Sequence, residues 1–277
     1  MSHPLEPGTI KEARPEGVTE DRVGVLSPRP CPGGEARWRH GEGLLVVPRS
    51  LPLSPTSPPR AWRPPRPGAT SGSAVPASSR TARGTEDFPW VLVLLTLLSP
   101  AEISRIIQLD LDLKYTANIR ELFEEFDRFP PGAVIGLARE MQPVYRHTFW
   151  QFRRENPQSR VGDPPPEGLP GFNSGVMLLN LEAMRQSALY RRLLEPAALQ
   201  RLTDKYHFRG HLGDQDFFTV AGMEHPELFH VLDCTWNRQL CTWWKDHGYR
   251  DVFDAYFRCE GHVRIFHGNC NTPIPED

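Results

Sequence analysis

The sequence predicts an α/β domain over residues 90–277, preceded by a disordered Pro/Arg/Gly-rich segment over residues 1–89. Two observations carry this. After Pro100, apolar runs of strand length alternate with helical patterns, the signature of strands connected by helices. Before it the chain is broken by proline: 17 of the 29 prolines fall in the first hundred residues. The formal charge of -2 argues against a nucleic-acid partner, which would call for a basic excess.

Spacings such as Pro52-Leu53-Ser54-Pro55 and Arg63-Pro64-Pro65-Arg66-Pro67 remove backbone donors and fix φ, so neither helix nor sheet propagates through them. Little apolar surface is left to offset the entropy of ordering, and a solvated linker is expected rather than a tail docked in an aromatic groove. Residues 90–98 (WVLVLLTLL) are apolar but far shorter than the roughly 20 residues of a membrane helix. They also lie too far from Met1 for a cleaved signal. A buried strand or short helix packed on the domain is expected there.

Residues 105–110 read as a buried strand ending in acids. Thr116 is placed to cap a helix over 117–129, with Ile119, Leu122, Phe123 and Phe126 on one face. A strand at 133–138, an aromatic-rich helix at 144–154 and a Pro-rich loop at 162–171 follow. Then come a strand at 172–181, helices at 182–195 and 196–208, a short helix at 214–222, and late strands at 229–232 and 262–266. Cys31 stands alone, whereas Cys234, Cys241, Cys259 and Cys270 crowd the C-terminal region. Their spacing lacks the C-x₂₋₄-C knuckle of structural zinc, so two disulfides in one of three pairings are expected, and with them an oxidising lumen.

The chemistry concentrates at Asp110-Leu111-Asp112. Side chains at i and i+2 of an extended segment point the same way, so two carboxylates converge at the C-terminal end of a buried strand, where open α/β sheets bind ligands. Like charges held together need a cation or a proton. Hard oxygen ligands suit Mg²⁺ or Mn²⁺, commonly shared with substrate phosphates. His267-Gly268-Asn269 follows a late strand, and imidazole favours Mn²⁺ over Mg²⁺.

With LDLD at 109–112, FNSGVMLLNL at 172–181, HLGDQDFF at 211–218 and HGN at 267–269, in this order, the chain resembles the glycogenin-like retaining class of GT-A glycosyltransferases over roughly 104–277. It is most similar to members that transfer xylose from UDP-xylose, in α-1,3 linkage, to a xylose-glucose glycan on EGF-like repeats, Notch being the known acceptor. The resemblance implies that Asp110, Asp112 and His267 hold Mn²⁺ (Mg²⁺ being the alternative) against the UDP diphosphate. It implies that Leu111, Ser174, Leu212 and Gln215 contact the donor, with Gly175 letting the backbone approach the sugar. Gln215 is the implied catalytic residue. An amide is a poor nucleophile, so same-face attack is expected in place of the covalent intermediate of retaining glycosidases. Asp214 and Asp216 are rival nucleophiles for which an ordinary helix-capping role is expected.

His147, Thr148, Phe149, Trp150, Trp244 and Asn269 match acceptor-contact positions, although Phe149 and Trp243 equally suit a core. The implied disulfides are Cys234–Cys259 and Cys241–Cys270, and the implied location is the lumen of the endoplasmic reticulum, the family being single-pass type II membrane proteins. The rival readings are a transferase using UDP-glucose or UDP-galactose, a non-catalytic module that binds glycosylated EGF-like repeats, and a metal-dependent phosphohydrolase.

Members of that class begin with a βαβ unit that grips uridine, and a membrane anchor precedes it. Neither is visible in the first hundred residues. The expectation is a domain carrying the metal, sugar and acceptor half, with the first strands of its sheet unpaired and its edge exposed. Affinity for UDP and transfer from UDP-xylose are then impaired. Isothermal titration with UDP and Mn²⁺ is expected to give weak binding; tight binding would show that the N-terminal segment builds a uridine site.

Overall fold

The computed structural model describes residues Val25–Leu26, Glu42–Val46, 101–210 and 212–276. Strand β3 (Arg105–Leu109) carries four consecutive buried residues, as a strand covered on both faces must. Its alternation divides them between two cores. Ile106 joins Leu137, Met177 and Leu179 on one side of the sheet, and Ile107 and Leu109 join Val176, Leu178 and Trp236 on the other. Six strands form this sheet, in the order β1-β2-β3-β6-β5-β7. Beside β3 these are β1 (Val25–Leu26), β2 (Glu42–Val46), β5 (Ile135–Arg139), β6 (Phe172–Asn180) and β7 (Phe229–Leu232). β6 is antiparallel to both β3 and β5, and β7 is parallel to β5. A smaller sheet has the order β4-β9-β8, from β4 (Leu113–Tyr115), β8 (Arg238–Gln239) and β9 (Ile265–His267).

The expected open edge of β3 is covered. β2 pairs with it in parallel along its whole length, from Glu42 opposite Arg105 to Val46 opposite Leu109, and β1 pairs with β2. Glu42-Gly43-Leu44-Leu45-Val46 is a proline-free stretch ending in three apolar residues that the composition of a Pro-rich hundred residues conceals. The 90–98 run and Cys31 lie outside the described residues.

Several helices are shorter than their periodicity suggests. Helix α1 spans Ile119–Phe123, capped by the Asn118 side chain, and passes into a 3-10 turn at Glu124–Arg128. Thr116 does not cap it, because its hydroxyl donates to Val263 O and its N–H to Arg264 O, tying it to the segment that leads into β9. The 144–154 helix is two, α2 (Val144–Thr148) and α3 (Trp150–Glu155), broken at Phe149. The 182–195 helix is also two, α4 (Leu181–Gln186) and α5 (Ala188–Leu193). Ser187 leaves helical geometry between them and its side chain accepts the Tyr190 N–H. Helices α6 (Pro196–Lys205), α7 (Asp214–Glu224) and α8 (Arg250–Phe257) complete the described set.

Cys234 is bonded to Cys259 and Cys241 to Cys270, the pairs that the resemblance implies. Both staple the small sheet: one joins the turn before β8 to the end of α8, the other joins the chain after β8 to the turn after β9. Among the described residues no helix is long and apolar enough to cross a membrane.

Candidate active site

The site forms where the two sheets meet. Asp110 N–H donates to Gly175 O at 3.0 Å, continuing the β3–β6 ladder one step beyond Leu109. The chain then crosses to β4, whose antiparallel neighbour β9 sets Leu113 opposite His267. Gly268 N–H closes the junction by donating to Asp112 O at 2.8 Å. Strand register thus delivers His267 to the acid pair: its Nε2 lies 3.7 Å from Asp110 Oδ2 and 3.4 Å from Asp112 Oδ1. One ligand atom from each of the three residues lies within 4.8 Å of the others.

Hydrogen bonds settle which face the imidazole presents. Asn237 Nδ2 donates to Asn173 Oδ1 at 2.9 Å, which turns Asn237 Oδ1 toward His267 Nδ1, also at 2.9 Å. An amide oxygen only accepts, so Nδ1 carries a proton and Nε2 is the nitrogen turned to the carboxylates. Nε2 is buried and makes no hydrogen bond. A lone pair facing two carboxylates is stable only with a cation or proton between them. This donor set, two hard carboxylates and one imidazole oriented by an amide, fits a divalent cation.

Beside it the pairing of β6 with β5 shifts register, jumping from Met177 opposite Leu137 to Asn173 opposite Ala138. Such a bulge re-aims side chains, here those of Ser174 and its neighbours. Ser174 N–H donates to Gln215 Oε1 at 3.1 Å, which brings the F-N-S-G and D-Q-D blocks together. Gln215 is buried in the first turn of α7, entered through Gly213 at φ 62°. Gly175 does not leave room for a ligand, as the sequence suggested: the space of its missing Cβ is filled by the His267 ring.

The two flanking acids behave differently. Asp216 accepts the Tyr145 hydroxyl at 3.0 Å and Leu212 N–H at 2.6 Å, so it anchors the loop before α7. Asp214 accepts Gln215 N–H at 2.8 Å. Burial pushes its carboxyl up to about 6 against that hydrogen bond, and the nearby Asp110 charge adds to the rise. Leu111 and Leu212 project into solvent.

The expected acceptor residues differ in exposure: Trp150 is exposed, whereas Phe149 and Asn269 are buried. His147 packs 5.3 Å from Trp244, and Tyr249 joins them, its hydroxyl 2.7 Å from His147 Nδ1. Trp150 is exposed with the Arg154 guanidinium over its ring. Phe149, by contrast, is wholly buried among Tyr145, Tyr206 and Phe208, because the break between α2 and α3 turns it inward. The Thr148 hydroxyl donates to Val144 O. Asn269 is buried, and its Oδ1 accepts the N–H groups of Leu240 and Cys241. Its amide oxygen therefore holds the disulfide-linked turn.

Sequence reasoning missed Glu140, Asn173 and Asn237, which connect these parts. Glu140 carried a signal, since it ends a strand as Asp110 does, and Asn173 sits in a block read for its serine. Asn237 carried none, because its position depends on the turn stapled by Cys234.

The model of glycosyl transferase family 8 matches residues 91–253. Xyloside xylosyltransferase 1 of Mus musculus is 83% identical over 185 residues, covering 67% of this chain and 47% of that protein. The Homo sapiens protein of the same name is 82% identical over 185 residues. Xylosyl- and glucuronyltransferase LARGE2 of Mus musculus is 35% identical over 149 residues, 54% of this chain and 20% of that protein. The apo crystal structure of mouse xyloside xylosyltransferase 1 superimposes with a TM-score of 0.66 at 82% identity, covering 67% of this chain and 64% of that one. The chain spans about half the length of the two xyloside xylosyltransferases.

Proposed function

The chain belongs to glycosyl transferase family 8 and has a GT-A-like fold, and from that premise we propose that it transfers xylose from UDP-xylose, in α-1,3 linkage and with retention, to the xylose-glucose glycan of EGF-like repeats of the Notch type. The observation that carries the reading is the buried Nε2 of His267, aimed with Asp110 and Asp112 at one point beside the Ser174–Gln215 pair. The names of the relatives at 82–83% identity support xylose as the sugar. Two disulfides and a glycosyltransferase kinship accord with the secretory pathway, and the lumen of the endoplasmic reticulum is the compartment proposed.

A bound Mn²⁺ would neutralise charge on the departing diphosphate. Asp110, Asp112 and His267 would hold it. Gln215 is fixed by Ser174 N–H, and its amide orients the sugar and stabilises developing positive charge by its dipole. In the proposed step the bond from the anomeric carbon to UDP breaks while the acceptor oxygen bonds to the same face. The acceptor's hydroxyl proton passes to a phosphate oxygen of the leaving UDP.

Incubating the full chain with UDP-xylose, Mn²⁺ and an EGF-like repeat bearing xylosyl-glucose is expected to add one pentose, read by mass spectrometry. Addition of a hexose from UDP-glucose or UDP-galactose would reassign the donor. Acceptor binding with neither transfer nor UDP release would favour the non-catalytic module.

A further inference from the structure

Glu140 lies immediately after β5 and is 3% exposed. Its carboxyl oxygens divide three donors: Oε1 takes Gln142 N–H at 3.0 Å, and Oε2 takes Asn173 Nδ2 and Gln215 Nε2, each at 3.1 Å. Neither amide can be turned round. Gln215 Oε1 is bound by Ser174 N–H, and Asn173 Oδ1 by Gly175 N–H at 3.0 Å and by Asn237 Nδ2. Backbone N–H groups only donate, so both amide NH₂ groups must face Glu140.

We infer that Glu140 is a positioning residue for the transfer reaction: a buried carboxylate beneath the site whose single oxygen clamps Gln215 to Asn173, and so holds the amide at the sugar in register with the bulge of β6. What is positioned rests on the proposed transferase reading. The clamp itself is a property of the folded chain and can be tested without turnover.

The state of Glu140 follows from its neighbours. All its partners are donors, so its hydrogen bonds favour the ionised form. Burial nevertheless raises this carboxyl to about 7 against the lowering by the Asn173, Gln142 and Gln215 donors. The other ionisable groups on this side are Tyr145, whose phenol is held well above its ordinary range by burial and by Asp216, and Asp214, raised to about 6 on the far side of Gln215. Arg139, next in sequence, is turned away onto Gly168 O. His267 is reached only through Asn173 and Asn237.

Two measurements decide the inference. In the metal-free full chain, the side-chain amide ¹H–¹⁵N signals of Asn173 and Gln215 should share one titration midpoint near the carboxyl's value of about 7. In Glu140→Gln the shared step should vanish, leaving only the response of Gln215 to Asp214. Separate midpoints, or no step at Asn173 in the wild type, would overturn the clamp whether or not the chain transfers sugar. In the transfer assay Glu140→Gln should lower kcat about 100-fold, the scale of a small misplacement at the reacting centre, with KM for the donor unchanged. A chain that transfers pentose at the wild-type kcat with Gln at 140 would remove the positioning role and leave the transferase reading intact. A wild type with the shared midpoint but no transfer would do the reverse.

Discussion

Asp112→Ala is expected to abolish sugar transfer and metal-dependent nucleotide binding together. The Asp112 carboxylate is one of three candidate ligand groups, with Oδ1 3.4 Å from His267 Nε2. Without it Asp110 and His267 remain, a pair too sparse to hold a hard cation against competing water. Charge on the departing diphosphate then goes unopposed, and a loss of at least about 10³-fold in transfer follows from electrostatic terms of this kind. The substitution isolates the side chain well. The tie between the two sheets at this residue is its backbone oxygen, which accepts Gly268 N–H at 2.8 Å and survives in alanine. Mn²⁺ affinity followed by electron paramagnetic resonance, with pentose addition in parallel, checks the expectation. A variant that keeps wild-type Mn²⁺ affinity would mean that these three residues do not form the metal site.

What the sequence showed of this site was what local rules govern. Residues 105–110 announce a buried strand by Ile106, Ile107 and Leu109, and two-residue periodicity then places Asp110 and Asp112 on one side. β7 at Phe229–Leu232 was read with its observed bounds for the same reason. The meeting of His267 with those acids is a long-range event set by β4–β9 register, and nothing in local spacing encodes it. There the resemblance to a family supplied the expectation. The 117–129, 144–154 and 182–195 helices have the right apolar period, yet tertiary hydrogen bonds at Thr116, Phe149 turned into the core, and Ser187 capping its own successor break them. Buried polar residues are the least legible class. Glu140, Asn173 and Asn237 look like surface residues until three elements close over them, and the backbone role of the Asn269 oxygen at 240–241 is set by the same long-range closure.

Gly175→Ala should dislodge the His267 ring and weaken metal binding although none of the three candidate ligand residues is substituted. A Cβ at 175 would overlap the imidazole Cε1 and lie 2.5 Å from Nδ1 and 3.1 Å from Asn173 Oδ1, where ordinary contact begins at 3.4 Å. The strand cannot retreat: Gly175 O accepts Asp110 N–H, and its N–H is bound to Asn173 Oδ1. The ring must therefore move, which breaks its hydrogen bond to Asn237 and swings Nε2 off the carboxylates. Overpacking of this kind costs about 1–3 kcal/mol of stability. Loss of the group that orients a metal-bound imidazole costs about 10- to 100-fold in metal affinity. Stability alone would not identify the cause, so Gly136→Ala is the comparison. Its Cβ would press the Phe129 ring at 3.0 Å and Leu178 at 3.1 Å, away from any of the three ligands. Both variants should melt earlier in calorimetry, and only Gly175→Ala should lose Mn²⁺ affinity. If the two lose equally, or Gly175→Ala keeps its metal, the imidazole is not held where a ligand must be, and β6 has no part in presenting it.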